Sequence, residues 1–361
     1  MTTQLHTCSE HSVGECPEYC HKPKMASGKN EILSIDMHCH IVTPEVEDVV
    51  KSFPQKQGEY DVLVENMGQE SVDYNGSMMA DLVPKLIDID VRIQDMDTMG
   101  IDIQALSPSP TQYYYWTDRD VSSHIVNLQN ERIAEVCANH SDRFVGLGNV
   151  SLQFPELAAQ QLEYCVKTLG FRGVEISSTV NCKEIADPMF APFWQKAEEL
   201  DVVVFLHPLG TTLGTRVNKH YLANLIGVPL ETTIALSHMI FGGVLDRYPG
   251  LKICAAHGGG FLASYGGRSD HGWQVRPECQ KTKKAPSEYL KQIYFDTILF
   301  DPNQIEHLVR QVGLSQVVIG TDYPFDMGDS TPMDRILSLP NLSDKDKRQI
   351  IGLNAAKLLK I

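Results

Sequence analysis

No stretch of the sequence comes near the roughly 18 consecutive apolar residues that a membrane-spanning helix requires, so a membrane partner is not expected. The polar N-terminus has none of the apolar core of a signal peptide, which points to the cytoplasm. Positive charge is also scarce. With 31 Lys and Arg against 46 Asp and Glu, the formal net charge is −15. That balance disfavours attraction to nucleic acid or anionic lipid and leaves a small molecule as the expected partner. There is no phosphate-cradling glycine loop of the P-loop or dinucleotide type, and no internal repeat. Nine cysteines, an odd number, show no framework spacing, which argues against a disulfide scaffold and for reduced thiols. Cys8, Cys16 and Cys20 do lie among His6, His11 and His21. Their spacing lacks the second paired knuckle of a structural zinc site, so residues 1–30 are expected to form a tethered leader.

What is present suits one large globular core. Hydrophobic residues make up 42% of the 361 residues and charged residues 21%, ordinary values for a folded domain. Eight β-branched or apolar runs stand out: Ile32–His38, Ile101–Ser107, Arg143–Val150, Gly173–Ser177, Val202–His207, Leu251–His257, Gln292–Thr297 and Gln316–Asp322. Between most of them lie segments with apolar residues at three- and four-residue intervals. The predicted helices are Val121–Ala138, Phe154–Leu169, Met189–Leu200, a long one over Val217–Asp246, Ser287–Leu290 and Asn303–Val312. Strands alternating with helices form parallel sheets, and eight strands favour a closed (β/α)₈ TIM barrel spanning 31–361 over an open sheet. The segment Thr43–Ile89 is longer than a normal barrel connection. It is expected to be an insertion after strand 1 that covers the mouth of the barrel.

The residues that carry chemistry fall at C-terminal strand ends. His38 and His40 end the first predicted strand, His207 the fifth, His257 the sixth and Asp322 the eighth. In a barrel these ends meet at one face, and alternate residues of an extended chain point the same way. Imidazoles and a carboxylate suit one divalent ion, Zn²⁺ first with Mn²⁺ as the alternative, which lowers the pKa of a water it binds. A second ion would need a bridging ligand at the end of strand four. That strand has no lysine, and Glu175 is a bridge or a buried structural carboxylate, so one ion is expected. His257 opens a run of three glycines and is either a further ligand or a general acid/base. With His38, His40, His207 and Asp322 available as ligands, it is assigned proton transfer.

The segments IDMHCH (35–40), VRIQDMDTMGIDIQALS (91–107), RFVGLGNV (143–150), FLHP (205–208), AAHGGG (255–260), GGRSDHG (266–272) and GTDYPFDMG (320–328) occur in that order. Together they resemble the amidohydrolase-related metal-dependent decarboxylases, in particular the 2-amino-3-carboxymuconate 6-semialdehyde decarboxylase group. The resemblance implies a cofactor-free decarboxylase of a small unsaturated or aromatic carboxylate. It implies that His38, His40, His207 and Asp322 hold the metal, and that His257 is the base. It further implies a homodimer in which Arg268 reaches the neighbouring subunit's site to grip a substrate carboxylate, a bidentate match of charge and shape. Phe325 and Asn224 are the other expected substrate-facing residues. Two positions depart from the family pattern: Val83 stands where a second substrate-binding arginine is expected, and Asn224 where a pocket tryptophan is expected. The chemistry can persist while the substrate differs. The alternative is a metal-dependent hydrolase or hydratase of the same fold.

Overall fold

The computed structural model describes residues 33–361. The expected N-terminal leader, with Cys8, Cys16 and Cys20 among His6, His11 and His21, lies outside the described residues. Strand β1 runs over Ile35–Ile41, β2 over Ile103–Pro108, β3 over Phe144–Gly148 and β4 over Gly173–Ile176. A two-residue hairpin follows, β5 (Thr179–Val180) and β6 (Lys183–Glu184), then β7 (Val203–Leu206), β8 (Lys252–Ala255) and β9 (Ile293–Phe295). The main sheet has the order β1-β2-β3-β4-β7-β8-β9, and every neighbouring pair in it is parallel.

Residues 317–323 close this sheet into a barrel. Val317 bridges to Phe295 of β9, while Ile319 and Tyr323 bridge to Asp36 and Cys39 of β1. Backbone bonds Val318 N–H to Phe295 O, Met37 N–H to Ile319 O and His40 N–H to Tyr323 O, each 2.9 Å, seal both edges. The predicted strand Gln316–Asp322 is thus correct in place but reduced to isolated bridges. Asp322 has a left-handed backbone (φ 55°), which a continuous strand cannot accommodate.

The first strand begins later than predicted, so His38 and His40 sit inside β1 rather than closing it. The long predicted helix Val217–Asp246 is broken. A π-type turn Ala223–Gly227 leads into helix Val228–Phe241, which carries a proline in its first turn, and Gly242 and Gly243 separate it from Val244–Arg247. Proline suits a helix start and not its interior. The hairpin β5–β6 was not foreseen. Cys39, Cys165 and Cys254 are free and buried.

Between β1 and β2 the chain forms helices Pro44–Val50, Pro54–Gln57, Glu59–Met67 and Gln69–Ile87. They bury little: Val46 and Val50 in the first, none in the third, only Leu86 in the fourth. Polar contacts hold them instead. Lys56 Nζ reaches Tyr114 Oη at 2.8 Å and the Glu47 and Glu59 carboxylates at 2.9 and 2.5 Å. Gly68 (φ 85°) lies so close to the loop after β7 that a Cβ there would sit 1.9 Å from the Asn218 carbonyl oxygen. Asn218 Nδ2 donates back to the Glu65 carbonyl at 3.1 Å. The insertion therefore rests on a loop that leaves the C-terminal face of the barrel. Among the described residues no helix is long and apolar enough to cross a membrane.

Candidate active site

Strand periodicity places His38 and His40 side by side on β1, both fully buried. Their Nε2 atoms lie 3.1 Å apart. His38 Nδ1 faces Asp296 Oδ2 at 2.6 Å. His40 Nδ1 faces only acceptors, the Pro108 carbonyl at 3.4 Å and Glu175 Oε2 at 3.5 Å. Both Nδ1 atoms therefore carry the proton, and both Nε2 atoms present lone pairs to one point. Asp322 adds an oxygen there: its Oδ1 is 3.2 Å from His38 Nε2 and 3.4 Å from His40 Nε2. Lone pairs this close repel unless a cation sits among them.

His207, directly after β7, places its ring 5.0 Å from that of His38 and 4.8 Å from that of His40. His257, after β8, lies 5.2 Å from His38 and 5.1 Å from His207 by ring centroid, with its Nε2 3.5 Å from Asp322 Oδ2. One ligand atom from each of His38, His207, His257 and Asp322 falls within 4.8 Å of the others. His40 joins through its contacts with His38 and Asp322. Five side chains thus share the site, and spacing alone does not separate His257 from the other imidazoles. A set of neutral imidazoles and one carboxylate is a fitting cage for a divalent ion.

The electrostatics agree. Burial works against charge on His38, yet the Asp322 and Asp296 carboxylates lift it well above the ordinary histidine value. A field that holds a proton there favours a cation. Burial and the neighbouring His40, His38 and His257 rings push His207 well below its usual value, which leaves it neutral and able to ligate. Burial opposes ionisation of Asp322 too, but the facing His38, His257 and His40 imidazoles hold it well below the usual carboxylate range.

Two members of the cluster have a strained backbone. His257 and Asp322 both have φ 55°, a conformation that costs a non-glycine residue about 1–3 kcal/mol and recurs at functional sites. The glycines after His257 serve the same turn: Gly258, Gly259 and Gly260 all have positive φ, and a Cβ at Gly260 would lie 2.0 Å from the Pro229 carbonyl oxygen.

Glu175 does not face the cluster as a bridge. Its oxygens are bound by the Tyr113 hydroxyl and by Ser107 Oγ at 2.5 Å, behind His40. Burial raises its pKa against the pull of His40, Ser107 and Tyr113. Of the expected substrate-facing residues, Phe325 lies beside the cluster, its ring 5.6 Å from that of His40. Asn224 is half-buried in the π-type turn and donates its N–H to the Tyr221 carbonyl. Arg268 stands apart from the buried cluster, exposed on helix Gly266–Val275.

Three residues were missed from sequence. Asp296 contacts His38, and Asp36 ties β1 to the eighth strand position by accepting from Thr321 N–H at 2.9 Å and Thr321 Oγ1 at 2.6 Å. Arg92, fully buried, donates to the His40 carbonyl and to Gln104 Oε1 and lies 4.7 Å from the Tyr323 ring centre. Asp296 was findable, because it lies one residue before the end of a predicted strand, close to where Asp322 lies in its own.

The amidohydrolase family profile matches residues 35–361. The chain belongs to the amidohydrolase family. Among amidohydrolases of known activity, it is 34% identical over 339 residues to a 2-amino-3-carboxymuconate-6-semialdehyde decarboxylase of Dictyostelium discoideum, covering 91% of each chain. It is 28% identical over 304 residues to a gamma-resorcylate decarboxylase of Rhodococcus jostii, covering 79% of this chain and 92% of that one. The fold superposes with a TM-score of 0.83, at 23% identity, on a 5-carboxyvanillate decarboxylase of Novosphingobium aromaticivorans solved with manganese and 4-hydroxy-3-methoxy-5-nitrobenzoic acid. That match covers 94% of this chain and all of the other.

Proposed function

We propose that this amidohydrolase is a metal-dependent, cofactor-free decarboxylase, a carbon–carbon lyase acting on a small unsaturated or aromatic carboxylate such as a carboxymuconate semialdehyde or a hydroxyaryl acid. The observation that carries it is the convergence of the His38 and His40 Nε2 lone pairs with Asp322 Oδ1 at 3.1 to 3.4 Å, in a chain whose relatives are decarboxylases. His38, His40, His207 and Asp322 would hold one divalent ion, Zn²⁺ or Mn²⁺. Such an ion supplies Lewis-acid stabilisation of negative charge on the substrate.

The chain's own residues do the rest. When the bond to the carboxylate carbon breaks, CO₂ leaves and the electron pair stays on the substrate carbon. A proton must reach that carbon to form the new C–H bond. His257 is suited to deliver it, since its side chain is 12% exposed where His38 and His40 are sealed. Phe325 forms an apolar wall against His40 and excludes water, and Asn224 offers a polar contact in place of an aromatic one. Arg268, exposed on its own subunit, would grip the substrate carboxylate in a homodimer partner. The helices between β1 and β2, resting on the loop that carries Asn218, would cover the mouth.

The test is incubation of metal-loaded protein with hydroxybenzoates, hydroxypicolinates, carboxymuconate semialdehydes and lactones while CO₂ is measured. Release from at least one acid is expected. Release from none, with a lactone opened instead, overturns the proposal.

A further inference from the structure

Asp296 lies just past the end of β9 and is fully buried. Its two oxygens serve two masters. Oδ2 meets His38 Nδ1 at 2.6 Å and also accepts the backbone N–H of His257 at 3.0 Å. Oδ1 accepts the Gly258 N–H at 2.8 Å and the Ile298 N–H at 3.1 Å. The first contact fixes the ring and tautomer of His38, so that Nε2 keeps its lone pair. The others hold His257 and Gly258, whose backbones are both left-handed at φ 55° and 59°. The eighth strand position leaves room for this arrangement. A Cβ at Gly320 would fall 2.7 Å from the Asp296 Cβ and 2.9 Å from the His38 Cβ.

We infer that Asp296 is a positioning residue that holds one metal-binding imidazole and the turn of the proton-transferring histidine with a single carboxylate. This deepens the proposed function and rests on its assignment of His38 and His257. A carboxylate is required because every contact needs an acceptor. An asparagine has one acceptor oxygen. With that oxygen toward His38, its NH₂ opposes the Gly258 and Ile298 N–H donors. With the NH₂ toward His38, Nδ1 must become the acceptor, and the proton moves to Nε2, where it blocks the lone pair.

The experiment uses Asp296→Asn in the full chain, with two readouts that do not involve turnover. Zn²⁺ affinity by chelator competition is expected to fall roughly ten- to a hundredfold. Amide exchange, followed by mass spectrometry on the peptide that spans His257 and Gly258, is expected to quicken relative to the rest of the barrel. Parental Zn²⁺ affinity, or unchanged exchange at that turn, overturns the inference. If the Asn variant does not fold, Asp296→Glu is used; it keeps both acceptors but lengthens the arm, so weaker Zn²⁺ binding is expected and parental binding overturns the inference. Because neither readout uses a substrate, absence of CO₂ release from every acid would remove the decarboxylase proposal and leave this test standing.

Discussion

The two imidazoles on β1 and the two that follow β7 and β8 reach the same cluster but are held differently. His38 and His40 are sealed from solvent, and each is backed at Nδ1 by a buried carboxylate, Asp296 or Glu175. His207 and His257 retain slight exposure, and the Nδ1 of each is a buried atom with no hydrogen-bond partner among the described residues. A backed imidazole has one tautomer and presents one lone pair permanently. An unbacked ring has no carboxylate to fix which nitrogen holds its proton. The β1 pair forms the sealed floor of the cluster, and the other pair lies on its slightly exposed side. Burial among other rings keeps His207 neutral, which suits the ligand role proposed for it, whereas the role proposed for His257 is proton transfer.

The most damaging way to break this contrast is to remove the floor. His38→Ala or His40→Ala deletes a lone pair and strands the buried carboxylate behind it, a change that leaves an uncompensated charge. Zn²⁺ measured by elemental analysis after dialysis should fall to background, and CO₂ release should fall by more than the roughly hundredfold that loss of an outer partner can cause. A His40→Ala chain that keeps its metal would show that the β1 pair is not the floor. His257→Ala sharpens the contrast from the other side. It should keep metal content and thermal stability near parental while kcat falls by roughly 10²- to 10⁴-fold. Loss of Zn²⁺ from this variant would move His257 into the ligand set.

These two halves of the site were unequally legible in the sequence. The four histidines and Asp322 could be read because each lies at or near the C-terminal end of a strand-like run, and a barrel gathers those ends. Of the backing groups, Asp296 was open to the same logic, but Glu175 was not. Glu175 reaches His40 only because Ser107 and Tyr113 fold over it from β2 and the turn beyond, a pairing that no local pattern encodes. The eighth strand was recognisable by composition, yet Gly320 and the left-handed Asp322 interrupt its ladder. The segment Thr43–Ile89 was expected as an insertion over the mouth, with no helix assigned to it. Its helices bury few residues, so the apolar periodicity that betrays a helix is weak there.

The smallest expected effect comes from the looser of the two backing contacts. Glu175 Oε2 stands 3.5 Å from His40 Nδ1, whereas Asp296 stands 2.6 Å from His38 Nδ1. A distance of 3.5 Å is longer than a good N–H to oxygen hydrogen bond, so Glu175 orients His40 mainly by charge. Glu175→Gln removes that charge but retains the shape, and its amide oxygen can still accept from Tyr113. His40 Nδ1 keeps the Pro108 carbonyl at 3.4 Å, so its tautomer should survive. Zn²⁺ affinity measured by chelator competition should therefore drop by less than about tenfold, the lower end of what outer partners contribute. A drop as large as that of Asp296→Asn would mean that the two first-strand histidines are backed equally, and that the 2.6 Å contact has no special part in fixing the floor.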